Sequence, residues 1–90
     1  MTSRDGVEVA RRAIKTLRAL PVREQQRLRA CIDLLAETPR PPGCVAMAGE
    51  RDTYRVRVGD YRVVYEVHDR VLLVNVVRVG RRREVYRRDA

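Results

Sequence analysis

Residues 54–65 read Tyr-Arg-Val-Arg-Val-Gly-Asp-Tyr-Arg-Val-Val-Tyr, two alternating runs on either side of Gly59-Asp60. Period-two alternation marks a strand with one buried face, and a two-residue loop that begins with Gly suits a type II′ hairpin turn. With those two residues as the loop, the register follows. Val58 lies opposite Tyr61, Arg57 opposite Arg62, Val56 opposite Val63, Arg55 opposite Val64 and Tyr54 opposite Tyr65. Cross-strand partners share a face. One face therefore carries Tyr54, Val56, Val58, Tyr61, Val63 and Tyr65, which is core material. The other gathers Arg55, Arg57 and Arg62, all expected to point outward into solvent. Like charges facing each other in a ladder destabilise it. A face that is merely solvated mixes its signs, and here Glu66 is the nearest carboxylate. The pattern points to a face that binds a polyanion.

The charge balance agrees. Twenty basic residues stand against 12 acidic ones, for a net charge of +8. Residues 54–90 hold ten arginines, five acids and all four tyrosines, whereas residues 1–53 contain no aromatic side chain. Basic groups interleaved with aromatics are what a surface for phosphates and bases requires. Tyr54, Tyr61 and Tyr65 read as core, which leaves Tyr86 as the aromatic available for chemistry.

The same inventory narrows the alternatives. Ninety residues suffice for one domain spanning 1–90. No apolar run reaches the length of a signal sequence or a membrane span, so a cytoplasmic protein without membrane association is expected. Cys31 and Cys44 are too few for a disulfide framework, and Cys31 falls on an apolar helical face as a core thiol. With a single His, neither a metal site nor a cofactor is expected.

Along the chain, residues 6–9 suit a short strand, and Ala10, Ala13, Ile14, Leu17 and Leu20 form a helical stripe that Pro21 ends. Leu28, Cys31, Ile32 and Leu35 form a second stripe, which Leu34 widens. The short connector makes the two helices an antiparallel hairpin. Residues 38–43, Thr-Pro-Arg-Pro-Pro-Gly, end helical structure. Residues 44–52 read equally as an edge strand or as a loop anchored by Val45 and Met47. Residues 68–70 make a turn, and residues 71–79 are apolar on both faces, as a strand buried on both sides would be. Gly80 is expected to break that strand, with Arg81, Arg82 and Arg83 beyond it and a last short segment at 84–87. The fold class is α+β: an N-terminal helical hairpin packed on one face of a small, mainly antiparallel sheet of three to five strands.

Three stretches carry a family likeness: Leu20-Pro21 ending the first helix, the 54–65 hairpin, and the terminal Arg-Val-Gly-Arg-Arg-Arg-Glu-Val-Tyr-Arg of residues 78–87. From residue 7 to 87 the chain resembles the RelE/ParE superfamily of bacterial toxins from type II toxin–antitoxin pairs, and within it the RelE branch. The resemblance implies a RelE-like fold and a metal-independent, ribosome-dependent mRNA endoribonuclease that cleaves by 2′-hydroxyl attack. It implies an acidic antitoxin as partner, mRNA in the ribosomal A site as substrate, and contact with operator DNA only through the antitoxin complex. It also implies a site. Arg55, Arg57, Arg62, Arg82 and Tyr86 match positions that act in catalysis, and Arg55, Arg57, Arg81, Arg82 and Arg83 match positions that contact RNA. The first-strand positions, often Lys in the family, are Arg here. ParE-type members share the scaffold, act on DNA gyrase and generally lack this basic set, so a non-catalytic gyrase poison is the alternative, with a catalytically inactive, antitoxin-binding member as a third reading.

The residues restrict the chemistry. Ribonucleases commonly move protons with His or Glu, whose pKa values lie near neutrality. His68 sits at a hairpin tip away from the arginines and reads as a surface turn residue. Arginine does not give up its proton, so Arg55, Arg57 and Arg62 suit phosphate clamping and transition-state stabilisation rather than general base work. Tyr86, with a free pKa of about 10, is the remaining titratable group, and neighbouring guanidiniums favour its phenolate. A chain without matched acid–base groups depends on the ribosome to bend mRNA into line. An acidic amphipathic antitoxin segment laid across the helices or sheet quenches the same charge.

Overall fold

The computed structural model describes residues 6–81. Strand β1 (Val7–Val9) leads into helices α1 (Arg11–Arg18) and α2 (Val22–Glu37), followed by strands β2 (Val45–Ala46), β3 (Thr53–Val58), β4 (Tyr61–His68) and β5 (Leu73–Arg81). The five strands form one sheet in the order β1-β5-β4-β3-β2, in which β1 runs parallel to β5 and every other pair is antiparallel.

The helices are pinned to the sheet through their ends. The Ala10 amide, just before α1, donates to the Val76 carbonyl at 2.7 Å. Helix C-termini leave carbonyls without intrahelical partners, and Gln25 of α2 donates its side-chain amide to Leu20 at 2.8 Å, closing the short connector. Ala13 and Leu17 of α1 and Leu28, Ile32 and Leu35 of α2 are buried with Tyr61, Val63, Tyr65, Val67, Val74, Val76 and Val79 from the sheet. Burial of such side chains stabilises by about 1.5–3 kcal/mol each. Leu34 does not join them. It is 63% exposed, because the helical step of about 100° from Leu35 turns it off the sheet. Cys31 is half-buried, and burial raises its thiol pKa.

The β3–β4 register is the one the turn dictates, from Val58↔Tyr61 to Tyr54↔Tyr65. Gly59 has φ +60, the left-handed value that the first loop position of a type II′ turn needs. Strand β5 departs from expectation at both ends. A 3₁₀ turn at Asp69–Val71 and a left-handed Leu72 delay its start to Leu73, and it runs through Gly80 to Arg81. Gly80 does not break it because Arg62 of β4 supplies its ladder partner. A β-bulge also intervenes: Val64 pairs with Arg78 but Tyr65 pairs with Val76, so Val77 is the extra residue. Val74, Val76 and Val79 consequently all face the core, which strict alternation would forbid.

Residues 44–52 resolve in part as an edge strand, with Val45 opposite Arg55 and Ala46 opposite Tyr54. The proline-rich loop before it is clasped to the sheet. Tyr65 donates its hydroxyl to the Pro39 carbonyl at 2.8 Å, and Arg40 donates to the Tyr54 hydroxyl at 3.0 Å and to both Asp69 oxygens at 2.9 and 3.2 Å. The Tyr54 and Tyr65 rings stack at 6.0 Å. That bidentate pair holds the Asp69 carboxyl below the usual range and raises the Arg40 pKa.

Candidate nucleic-acid interface

The helices cover the sheet face that carries Tyr61, Val63 and Tyr65. On the other face the ladder sets out basic residues in two rows. The first is Arg57, Arg62 and Gly80; the second is Arg55, Val64 and Arg78. Rows on one face are two residues apart, or about 6.6 Å, and the flanking strands β3 and β5 are about 9.6 Å apart across β4. Four arginines are thus set on one patch of roughly that size.

They differ in setting. Arg57 is exposed, and its Nε lies 3.5 Å from the Gly59 carbonyl at the hairpin turn. Arg55 and Arg78 are half-buried. Arg62, expected to stand out in solvent, is only 8% exposed. It lies in the middle strand, and a charge is held at so buried a position only when it is engaged. Arg55, Arg62 and Arg78 each make an interaction within the fold. At the turn, the Arg27 guanidinium of α2 reaches over Gly59, within 2.9 Å of where a Cβ would stand, and pairs with Glu24 at 3.5 Å.

A third row ends the basic character. Thr53, Glu66 and Asn75 lie opposite one another across β3, β4 and β5. Glu66 accepts from the Asn75 amide at 3.5 Å and meets His68 Nε2 at 3.0 Å. His68 ends β4 in the position expected of it, about 20 Å along the strand from Arg62.

The structure therefore brings Arg55, Arg57 and Arg62 together on one face as their spacing implied. It separates Arg81 from them: Arg81 pairs with Tyr61 and so falls in the helix-side row at the sheet's end. Arg82, Arg83 and Tyr86 lie outside the described residues. Arg78 is the group that the sequence reading passed over. No local pattern marked it: Arg78 lies opposite Val64, and the bulge beside it moves Asn75 to the same face.

Such a surface is chemically suited to clamping phosphates, since guanidinium forks match their oxygens and preorganised charge can stabilise a phosphorane. Among the described residues no group of His, Cys, Asp and Glu gathers to hold a metal ion, and no helix is long and apolar enough to cross a membrane.

The comparisons with known proteins meet this geometry. The chain matches the family described as ParE toxin of the type II toxin–antitoxin system parDE over residues 7–86. The RelE1 protein of Methanocaldococcus jannaschii is 30% identical over 87 residues, which span 91% of this chain and 94% of that one. The crystal structure of the archaeal RelE–RelB complex from Pyrococcus horikoshii superposes with a TM-score of 0.73 at 30% identity, covering 91% of this chain and 97% of that chain. The intact RelBE toxin–antitoxin complex of E. coli gives 0.73 at 28% identity, covering 83% and 93%. The chain belongs to the RelE/ParE superfamily, as a RelE-like toxin of a type II toxin–antitoxin system.

Proposed function

We propose that this toxin is a ribosome-dependent mRNA endoribonuclease. The observation that carries the reading is the pair of arginine rows, Arg57–Arg62 and Arg55–Arg78, on the sheet face that the helices leave open. In this scheme the RNA 2′-oxygen attacks the adjacent phosphorus, forming a new P–O bond as the bond to the 5′-oxygen breaks. The 2′-proton leaves to a base and the 5′-oxygen takes up a proton, giving a 2′,3′-cyclic phosphate. Arg57 and Arg62 neutralise the phosphorane. Tyr86 is the base or the base-stacking group, and Arg82 and Arg83 extend the contact with RNA. The ribosome supplies the in-line geometry. The partner that silences the toxin is an acidic antitoxin, as the RelB chains in the related complexes suggest.

A second reading has a specific support, because the matched family is described by ParE. In that case the chain poisons DNA gyrase without cleaving RNA. One experiment separates the two: express the chain and map the ends of translated mRNAs. Breaks at A-site codons, lost in Arg62→Ala and reduced about 10²–10⁴-fold in Tyr86→Phe if the hydroxyl handles a proton, support the endoribonuclease. Intact mRNA together with arrested supercoiling supports the poison.

A further inference from the structure

Resting on the endoribonuclease reading, we infer that Arg78 is a positioning residue for the RNA strand. With Arg55 it holds the phosphate next to the one engaged by Arg57 and Arg62. Three observations carry this.

The first is register. Val64 is opposite Arg55 on one side and Arg78 on the other, so the two arginines flank one residue of the middle strand. Without the bulge at Val77, the core side chains Val74 and Val76 and the polar Asn75 would exchange faces. The fold spends an irregularity to keep valines inside while Arg78 stays outside. The second is burial. Val64 is 5% exposed although α1 and α2 pack on the opposite face. Its flanking arginines carry methylene stems suited to roofing an apolar side chain while their heads stay at the surface. Both are half-buried, as that role requires. The third is the boundary. One row further on, about 6.6 Å away, stands the Glu66 carboxylate with His68 and Asn75. A phosphate is repelled there. The basic track therefore has two phosphate positions, and Arg78 belongs to the one beside the carboxylate. Gly80 supplies no side chain to the Arg57–Arg62 row, so on β5 Arg78 alone among the described residues adds charge to this face.

Binding the neighbouring phosphate contributes alike to ground state and transition state, so its loss appears in affinity rather than in maximal rate. The test is single-turnover cleavage of a defined mRNA on programmed ribosomes, with toxin varied in excess. Arg78→Ala is expected to raise the half-saturating toxin concentration about tenfold while the maximal rate stays within about twofold. Arg78→Lys, which keeps the charge, should recover most of the affinity. Binding of a single-stranded RNA oligonucleotide should lose salt dependence, its log–log slope falling by about 0.7 for one phosphate contact. If Arg78→Ala melts below the assay temperature, Arg78→Gln takes its place in the same comparison.

Unchanged half-saturation and salt slope in Arg78→Ala, with Arg62→Ala inactive, overturn the inference and leave the parent reading standing. A collapsed maximal rate at unchanged affinity also overturns it, because Arg78 would then act on the reacting phosphate. Failure of the wild type to cleave, or full activity in Arg62→Ala, removes the endoribonuclease reading and this inference with it.

Discussion

Arg62 shows why function and stability are not separable in a sheet this small. Its neighbour Arg57, directly opposite, is exposed, whereas Arg62 is 8% exposed in the middle strand and is engaged by the fold. Removing a buried polar group that the fold engages leaves what it engaged unsatisfied, at a cost of about 1–3 kcal/mol. Arg62→Ala should therefore lose cleavage and also lower stability by that amount, as a urea titration would measure. Arg57→Ala should lose activity while staying within about 0.5 kcal/mol of wild type, as exposed substitutions usually do. Equal stability in the two variants would mean that Arg62 bears no structural role. Tyr65 makes a second case at this scale. It is fully buried, its hydroxyl donates to Pro39, and burial, followed by the nearby Cys44, raises its pKa. An unfolded Tyr ionises near pH 10. The native state thus retains a proton that the unfolded chain has lost, so this contribution is whole below about pH 10 and falls as pH rises through the elevated native value. Tyr65→Phe should cost about 1 kcal/mol at neutral pH and flatten the loss of stability in alkali. An unchanged alkaline limb in chemical denaturation would refute the assignment.

At the scale of elements, the β3–β4 hairpin was fully legible because its loop allows one register, and that register decides which residues share a face. The turn's demand can be measured. Gly59 stands at φ +60, where a side chain costs about 1–2 kcal/mol. The crowding partner is the end of the flexible Arg27 side chain, which moves at little cost. Gly59→Ala should destabilise by that backbone amount, and Gly59→Asn by less, since Asn tolerates left-handed geometry better. Denaturant midpoints would check the order Gly, Asn, Ala. Strand β5 was legible only as apolar. With valines on both faces, residues 71–79 carry no alternation to reveal the bulge, so neither the placement of Asn75 outside nor that of Arg78 beside Val64 followed from pattern. Gly80 misled for a related reason: glycine breaks a strand in isolation, but a ladder partner on β4 holds it here. Leu34 fitted the apolar spacing of α2 and lies exposed, because the sheet takes a narrower stripe than the helix offers. The opposite charge on Asp69 and the ring of Tyr54, which draw Arg40 and its loop onto the sheet, are distant in sequence and left no local signature.

For the molecule as a whole, charge is the property that separates the two readings of its function. A net +8 attracts any polyanion, so attraction alone discriminates nothing; the way it responds to salt does. Each phosphate neutralised on a single strand releases counterions and contributes about 0.7 to the slope of log affinity against log salt. Arg57 with Arg62 and Arg55 with Arg78 on one face hold one phosphate each, which gives an expected slope of about −1.4. The effect should appear with an RNA oligonucleotide and with programmed ribosomes alike. Saturating the face with an acidic antitoxin peptide should abolish RNA binding and cleavage together, because one surface would serve both partners. An apolar protein target behaves differently, since burial of apolar area changes little with moderate salt and leaves the basic face out of the contact. A steep slope lost in the Arg62→Ala and Arg57→Ala variants therefore supports the endoribonuclease. Affinity that stays flat from low to high salt, with the arginines replaceable, would move the toxin to the gyrase-poison class and make its basic face a docking site for antitoxin.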